Sequence, residues 1–191
     1  MPDKEVNTIR DLIYYQYSKL IARSAFKIPD GVTVKREHYG FIKNTFRSLK
    51  NGKKSWSEIT REDKQLAKEK KKCIYCGGED LKLQWEHIVP RSISINERCK
   101  SCPKIQEIHN MVLACPECNR NKKTMGLYKY YSVKYPDDRK FYDRIPPLAE
   151  KKYLKTIYNC HKCANTLDFG DIDGDGIVTV NDIDAIIFAD I

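Results

Sequence analysis

The chain has no apolar run of the roughly 18 residues that a bilayer-spanning helix requires, and its opening, Met1-Pro2-Asp3-Lys4-Glu5, has no apolar signal core. The expectation from these absences is a soluble protein of the cytoplasm with no membrane association. No segment repeats with a period of about 20–50 residues, which argues against a solenoid, and no long low-complexity stretch is present. Positive charge is missing from one end. Residues 168–191 contain seven Asp and neither Lys nor Arg, so residues 1–167 set all 35 basic residues against 19 acidic ones, a net charge of +16. A body that basic points to a polyanionic partner, with nucleic acid first and a merely soluble lysine-rich surface as the alternative.

The eight cysteines form four CxxC pairs, Cys73/Cys76, Cys99/Cys102, Cys115/Cys118 and Cys160/Cys163. In a reducing compartment this spacing favours metal over disulfides, because two thiolates grip one ion from a tight turn and two such pairs complete a tetrahedral zinc site. Between the first and third pairs lie Glu86-His87 and Asn110, and Asn119 directly follows Cys118. Hydrolysis of a phosphodiester needs a base for water, a cation for the developing charge and a rigid frame. His87 titrates near neutrality and suits the first role. Glu86 and Asn119 offer hard oxygens that suit magnesium or manganese. Neighbours in a regular strand face opposite sides, so Glu86 and His87 can share one phosphate only if the strand ends there, as Pro90 suggests.

Apolar spacing over residues 5–26 predicts a helix with one buried face. Pro29-Asp30-Gly31 breaks the chain, and a second helix is expected from His38 to Leu49, ending near Asn51-Gly52. Thr60 and Asp63 mark a helix start, with the helix closing on Lys68, Lys70, Lys71 and Lys72; that basic end is equally a solvated terminus or a phosphate clamp. Tyr14, Tyr15, Tyr39 and Trp56 are either core residues or stacking surfaces for bases. Leu81 to His87 alternates and predicts a strand, Met111 to Ala114 a second one, and Asn119 opens a helix towards Tyr131. A late helix from Pro147 to about Cys163 buries Leu148, Leu154, Ile157 and Tyr158.

Glu86-His87-Ile88-Val89-Pro90, Asn110-Met111-Val112-Leu113 and Cys115-Pro116-Glu117-Cys118-Asn119-Arg120-Asn121-Lys122 together resemble the HNH endonucleases of the ββα-metal fold, most clearly over residues 73–131. The resemblance implies an α+β fold and a DNA endonuclease that uses one metal ion. In it His87 is the general base, Glu86 and Asn119 hold the divalent ion, and Asn110 pins the loop that orients His87. Cys73, Cys76, Cys115 and Cys118 hold a structural zinc. Position 86 is Glu where Asp or His is more usual, and position 119 is Asn where the family name expects His. A non-catalytic zinc-dependent nucleic-acid-binding protein is the alternative.

Cys99, Cys102, Cys160 and Cys163 are candidates for a second zinc, or are inert or redox-active thiols. Asp171 to Asp182 fits the twelve-position calcium loop, with Asp171, Asp173 and Asp175 at positions 1, 3 and 5, Gly176 at the sharp turn, the Ile177 carbonyl at 7 and Asp182 at 12. Ile183, Ile186 and Ile187 continue it as a helix. This tail resembles one half of a dockerin. Dockerins carry two such halves, so a structural calcium is expected rather than a docking partner; an acidic turn that binds nothing is the other reading. The expected organisation is a basic helical region over 1–72, the HNH core with a flanking helix over 73–165, and the calcium-loop tail over 166–191. A homodimer stays open, since cutting both strands with one site per chain calls for two copies.

Overall fold

The computed structural model describes residues 4–29, 31–55, 72–79, 82–95 and 102–188. The helix expected from Thr60, Trp56, Leu81 and Cys99 lie outside them.

Helix α1 spans Ile9–Ala25. Thr8 starts it: its hydroxyl accepts from the Asp11 amide at 3.2 Å, satisfying one of the amides that a helix N-terminus leaves open. Helix α2, Tyr39–Lys50, follows a 3-10 turn over Arg36–His38 and packs along α1 through Ile42, Phe46 and Leu49. Tyr14 stacks on Tyr158 and Tyr15 is buried against Phe46, so both belong to the protein's own packing; Tyr39 is exposed.

The first strand is shorter than predicted and the second has the predicted bounds. β1, Gln84–His87, pairs antiparallel with β2, Met111–Ala114, in the register Trp85 to Leu113, Glu86 to Val112 and His87 to Met111. The pleat is turned opposite to what hydropathy suggests. Trp85 is 58% exposed and Glu86 is buried beside Val112. The stretch between the strands holds 3-10 turns at Arg91–Ile95, Pro103–Gln106 and Ile108–Asn110.

The helix expected from Asn119 to Tyr131 is two helices. α3 runs Pro116–Lys122 and begins three residues earlier than predicted, with Cys115 as its cap and proline in its first turn. Lys123 turns to φ 50°, and α4 restarts at Leu127–Lys134. A side chain at Gly126 would place its Cβ 2.3 Å from Oδ2 of Asp184, which arrives from the far end of the chain. Helix α5 spans Pro147–Cys163 as predicted, but its buried face is Ala149, Tyr153, Leu154, Ile157, Cys160 and His161, while Leu148 and Tyr158 are only half-buried.

The tail helix α6, Val180–Phe188, packs on α1 and α4 with Ile183 and Ile186 buried. His161 is fully buried beneath it, with Nδ1 2.8 Å from Thr166 Oγ1 and Nε2 3.0 Å from the Ile183 carbonyl. Asp184 accepts from the Lys129 amide at 2.7 Å and from the Tyr153 hydroxyl. One apolar core therefore runs from Val6 and Ile9 through the hairpin to Ile186.

Candidate active site and metal centre

Two CxxC turns meet at the base of the hairpin. Cys73 to Gly78 folds into a knuckle: the Gly77 amide donates to the Cys73 carbonyl at 2.8 Å, and Gly77 takes a φ of 70°, open to glycine at little cost. The Ile74 amide donates to Leu113 at 2.9 Å and ties the knuckle to β2. The second turn caps α3. The sulfur atoms of Cys73, Cys76, Cys115 and Cys118 lie within 4.8 Å of one another. Backbone amides already point at them, Cys115 to Cys73 Sγ at 3.3 Å and Cys118 to Cys115 Sγ at 3.5 Å. Burial raises the Cys73 thiol, but the amides of Cys115, Cys76 and Tyr75 outweigh it and bring the group down to about 7. Four thiols converging with amide donors behind them are the donor set of a closed tetrahedral zinc site.

Asn110 is fully buried and makes three hydrogen bonds to backbone. Its Nδ2 donates to Val89 and Ile105 carbonyls at 2.8 and 2.9 Å, and its Oδ1 accepts from the Val89 amide at 2.8 Å. The Ile88 amide donates to the Asn110 carbonyl at 2.9 Å. The segment leaving β1 after His87 is therefore fastened to the segment entering β2.

His87 ends β1, half-buried, and its ring makes no hydrogen bond among the described residues. Burial first, then the Arg91 and Lys122 cations, push its pKa below the ordinary histidine value, which favours the neutral ring. Asn119 is half-buried on α3, where its backbone joins the helix ladder. Glu86 faces the other way from His87. One carboxylate oxygen lies 2.9 Å from Lys122 Nζ and the other accepts from the Tyr75 hydroxyl. Lys122 has no exposed surface, and its ammonium also donates to the His87 carbonyl at 3.4 Å. Glu86 and His87 therefore do not converge on one point as β1 stands, and Lys122 and Tyr75 occupy both Glu86 oxygens, so a divalent ion at Glu86 would have to displace the Lys122 ammonium.

Neither Lys122 nor Tyr75 is singled out by motif spacing. The available signal is that Lys122 lies four residues after Cys118, on the same inward face of α3. Of the other cysteines, Cys102 and Cys160 are buried and Cys163 is exposed; with Cys99 outside the described residues, that set is incomplete here. In the tail, the carboxylates of Asp171, Asp173 and Asp175 gather within 4.8 Å at the surface, with the Ile177 side chain exposed. Asp182 is turned inward and accepts from the amides of Ile172 at 2.6 Å, Asp173 at 3.2 Å and Thr179 at 2.7 Å.

Residues 73–124 match the family model described as HNH endonuclease. The matched segment contains the whole cysteine cluster, both strands and α3. The match supports nuclease activity in general and nucleic acid as the substrate class. No curated protein and no solved structure matches the chain. Among the described residues no helix is long and apolar enough to cross a membrane.

Proposed function

We propose that the protein is a metal-dependent DNA endonuclease that hydrolyses phosphodiester bonds with His87 as general base. The observation that carries this reading is a half-buried imidazole, free of hydrogen bonds among the described residues, at the end of a strand whose exit is fastened by Asn110. A neutral ring in that position can take a proton from water near a bound phosphate. Asn110 keeps the ring's backbone from shifting, and the cysteine cluster, read as a zinc site, fixes hairpin to helix. Glu86 and Asn119 would hold magnesium or manganese, which supplies charge neutralisation at the phosphate. The basic surface supplies salt-sensitive phosphate contacts without sequence readout.

The test is nicking of supercoiled plasmid with magnesium. His87→Ala should lose activity by at least about a hundredfold, in line with removal of a general base, while its melting temperature stays at the wild-type value. Equal activity of the two proteins would remove the mechanism. One observation favours a second reading, a non-catalytic zinc-dependent nucleic-acid-binding domain: both Glu86 oxygens are already engaged by Lys122 and Tyr75. DNA binding without magnesium-dependent nicking would select it.

For the tail we propose a structural calcium held by Asp171, Asp173, Asp175, the Ile177 carbonyl and Asp182. The support is the crowding of three exposed carboxylates in one loop. Calcium should raise the melting temperature of the chelated, zinc-loaded protein, and an unchanged melting curve would reject it. The apolar side of α6 is spent on the protein's own core through Ile183 and Ile186, which leaves little for a docking partner.

A further inference from the structure

We propose that Trp85 is a stacking platform for an unpaired base next to the cleaved phosphate, so that the substrate is DNA with a single-stranded, frayed or flapped nucleotide at the cutting site. This rests on the nuclease reading above and narrows its substrate class.

The strand carries the argument. Residues two apart in a strand share a face, about 6.8 Å from each other. Trp85 and His87 are such a pair, on the side of the hairpin opposite Glu86. Their cross-strand partners, Leu113 and Met111, are half-buried and form an apolar floor. On that floor the indole is 58% exposed and belongs to no ring pair among the described residues. Its neighbour Glu86 takes the buried side, held there by Lys122 and Tyr75. The buried ion pair thus fixes the pleat so that the indole faces solvent beside the imidazole.

The surroundings select the occupant. Lys82 and Arg91 are exposed on either side of β1, and the Arg91 cation is close enough to act on the His87 ring. An open aromatic face flanked by cations suits a base with its phosphate. In an intact duplex both faces of every base are covered by neighbours. Only an unpaired or extruded base can offer a face to Trp85. A base one sugar away from the phosphate at His87 reaches the indole.

The test compares full-length, zinc-loaded proteins in a His87→Ala background, so that DNA is bound and not cut. Fluorescence anisotropy is read with a labelled twelve-nucleotide oligo-dT and with a labelled blunt duplex. Trp85→Ala should weaken oligo-dT binding about 5- to 150-fold, the range expected for loss of one stacked base. Duplex binding should change less than twofold, and Trp85→Phe should restore most of the loss. In a Trp56→Phe protein, where Trp85 is the remaining tryptophan, oligo-dT should quench the emission. If Trp85→Ala binds both probes as wild type does while the otherwise wild-type enzyme nicks plasmid, this proposal alone fails. If the protein neither nicks nor binds either probe, the nuclease reading fails with it.

Discussion

Lys122 is the side chain whose loss should reach furthest. Its ammonium is sealed from solvent, 2.9 Å from a Glu86 carboxylate that is itself only 7% exposed. Lys122→Met keeps most of the methylene stem and removes the charge. Glu86 is then left as a buried anion held by the Tyr75 hydroxyl alone. Breaking a buried pair from one side costs about 3–5 kcal/mol, mostly the penalty of the stranded charge. For a chain of this size that is a fall of roughly 6–20 °C in melting temperature. Adding Glu86→Gln removes the stranded charge and leaves an amide that can still accept from Tyr75. The double variant should therefore recover at least about 2 kcal/mol relative to Lys122→Met, a favourable coupling in a double-mutant cycle. The assay is urea unfolding of zinc-loaded protein, repeated with magnesium. Magnesium that reaches Glu86 must displace the Lys122 ammonium, so it should stabilise Lys122→Met more than it stabilises the wild type. A cost below about 1 kcal/mol, or a double variant whose loss equals the sum of the singles, would refute the buried pair as the element that sets the pleat.

Other outcomes follow from the same geometry. Metal analysis should find at least one zinc per chain, lost on Cys118→Ser; a second zinc would assign the remaining two CxxC pairs, and exactly one would dismiss them as ligands. Glu150 and Asp184 are fully buried, and burial raises each to about 7 from 4.5 and 3.8. Both hold a proton more tightly folded than unfolded, so the stability they contribute is full below pH 4 and lost as pH rises through about 7. His161 opposes this: burial lowers it to about 4, so its contribution is present above pH 6.5 and lost as pH falls towards 4. Asp184→Asn should flatten the fall between the unfolded value of 3.8 and the folded value of about 7 in a thermal-shift series, and an unchanged profile would reject the assignment. Gly126→Ala forces a methyl to 2.3 Å from Asp184 Oδ2 and should lower the melting temperature by several degrees.

Spacing made the cysteine cluster legible: the CxxC turns at Cys73, Cys76, Cys115 and Cys118 are short-range signals that read the same in sequence and in space. The acid–histidine dipeptide does not, because Glu86 and His87 face opposite sides of β1. The two strands and helices α1, α2 and α5 followed from periodicity. What spacing did not reveal depends on partners far along the chain. The alternation from Leu81 to Trp85 gives the apolar residues one side, yet Glu86 takes the inward side because Lys122 and Tyr75 wait there. The break between α3 and α4 carries no proline. Lys123 at φ 50° ends α3, and Asp184, some sixty residues later, caps the first turn of α4 by accepting from the Lys129 amide. Lys122 sits in a basic run with Arg120 and Lys123 that resembles a solvated helix end, although it is the most deeply buried charge of the three.

The amides of Ile9 and Arg10 donate to the carbonyls of Phe169 and Leu167 at 2.8 and 2.9 Å, and the Arg10 guanidinium pairs with Asp168. The first turn of α1 is thereby laced to the segment that follows α5. A protein shortened at residue 165 would lose the acceptors that complete the first turn of α1, and with them the backing of the central segment. The smallest autonomous unit is therefore far larger than the stretch that bears the family signature.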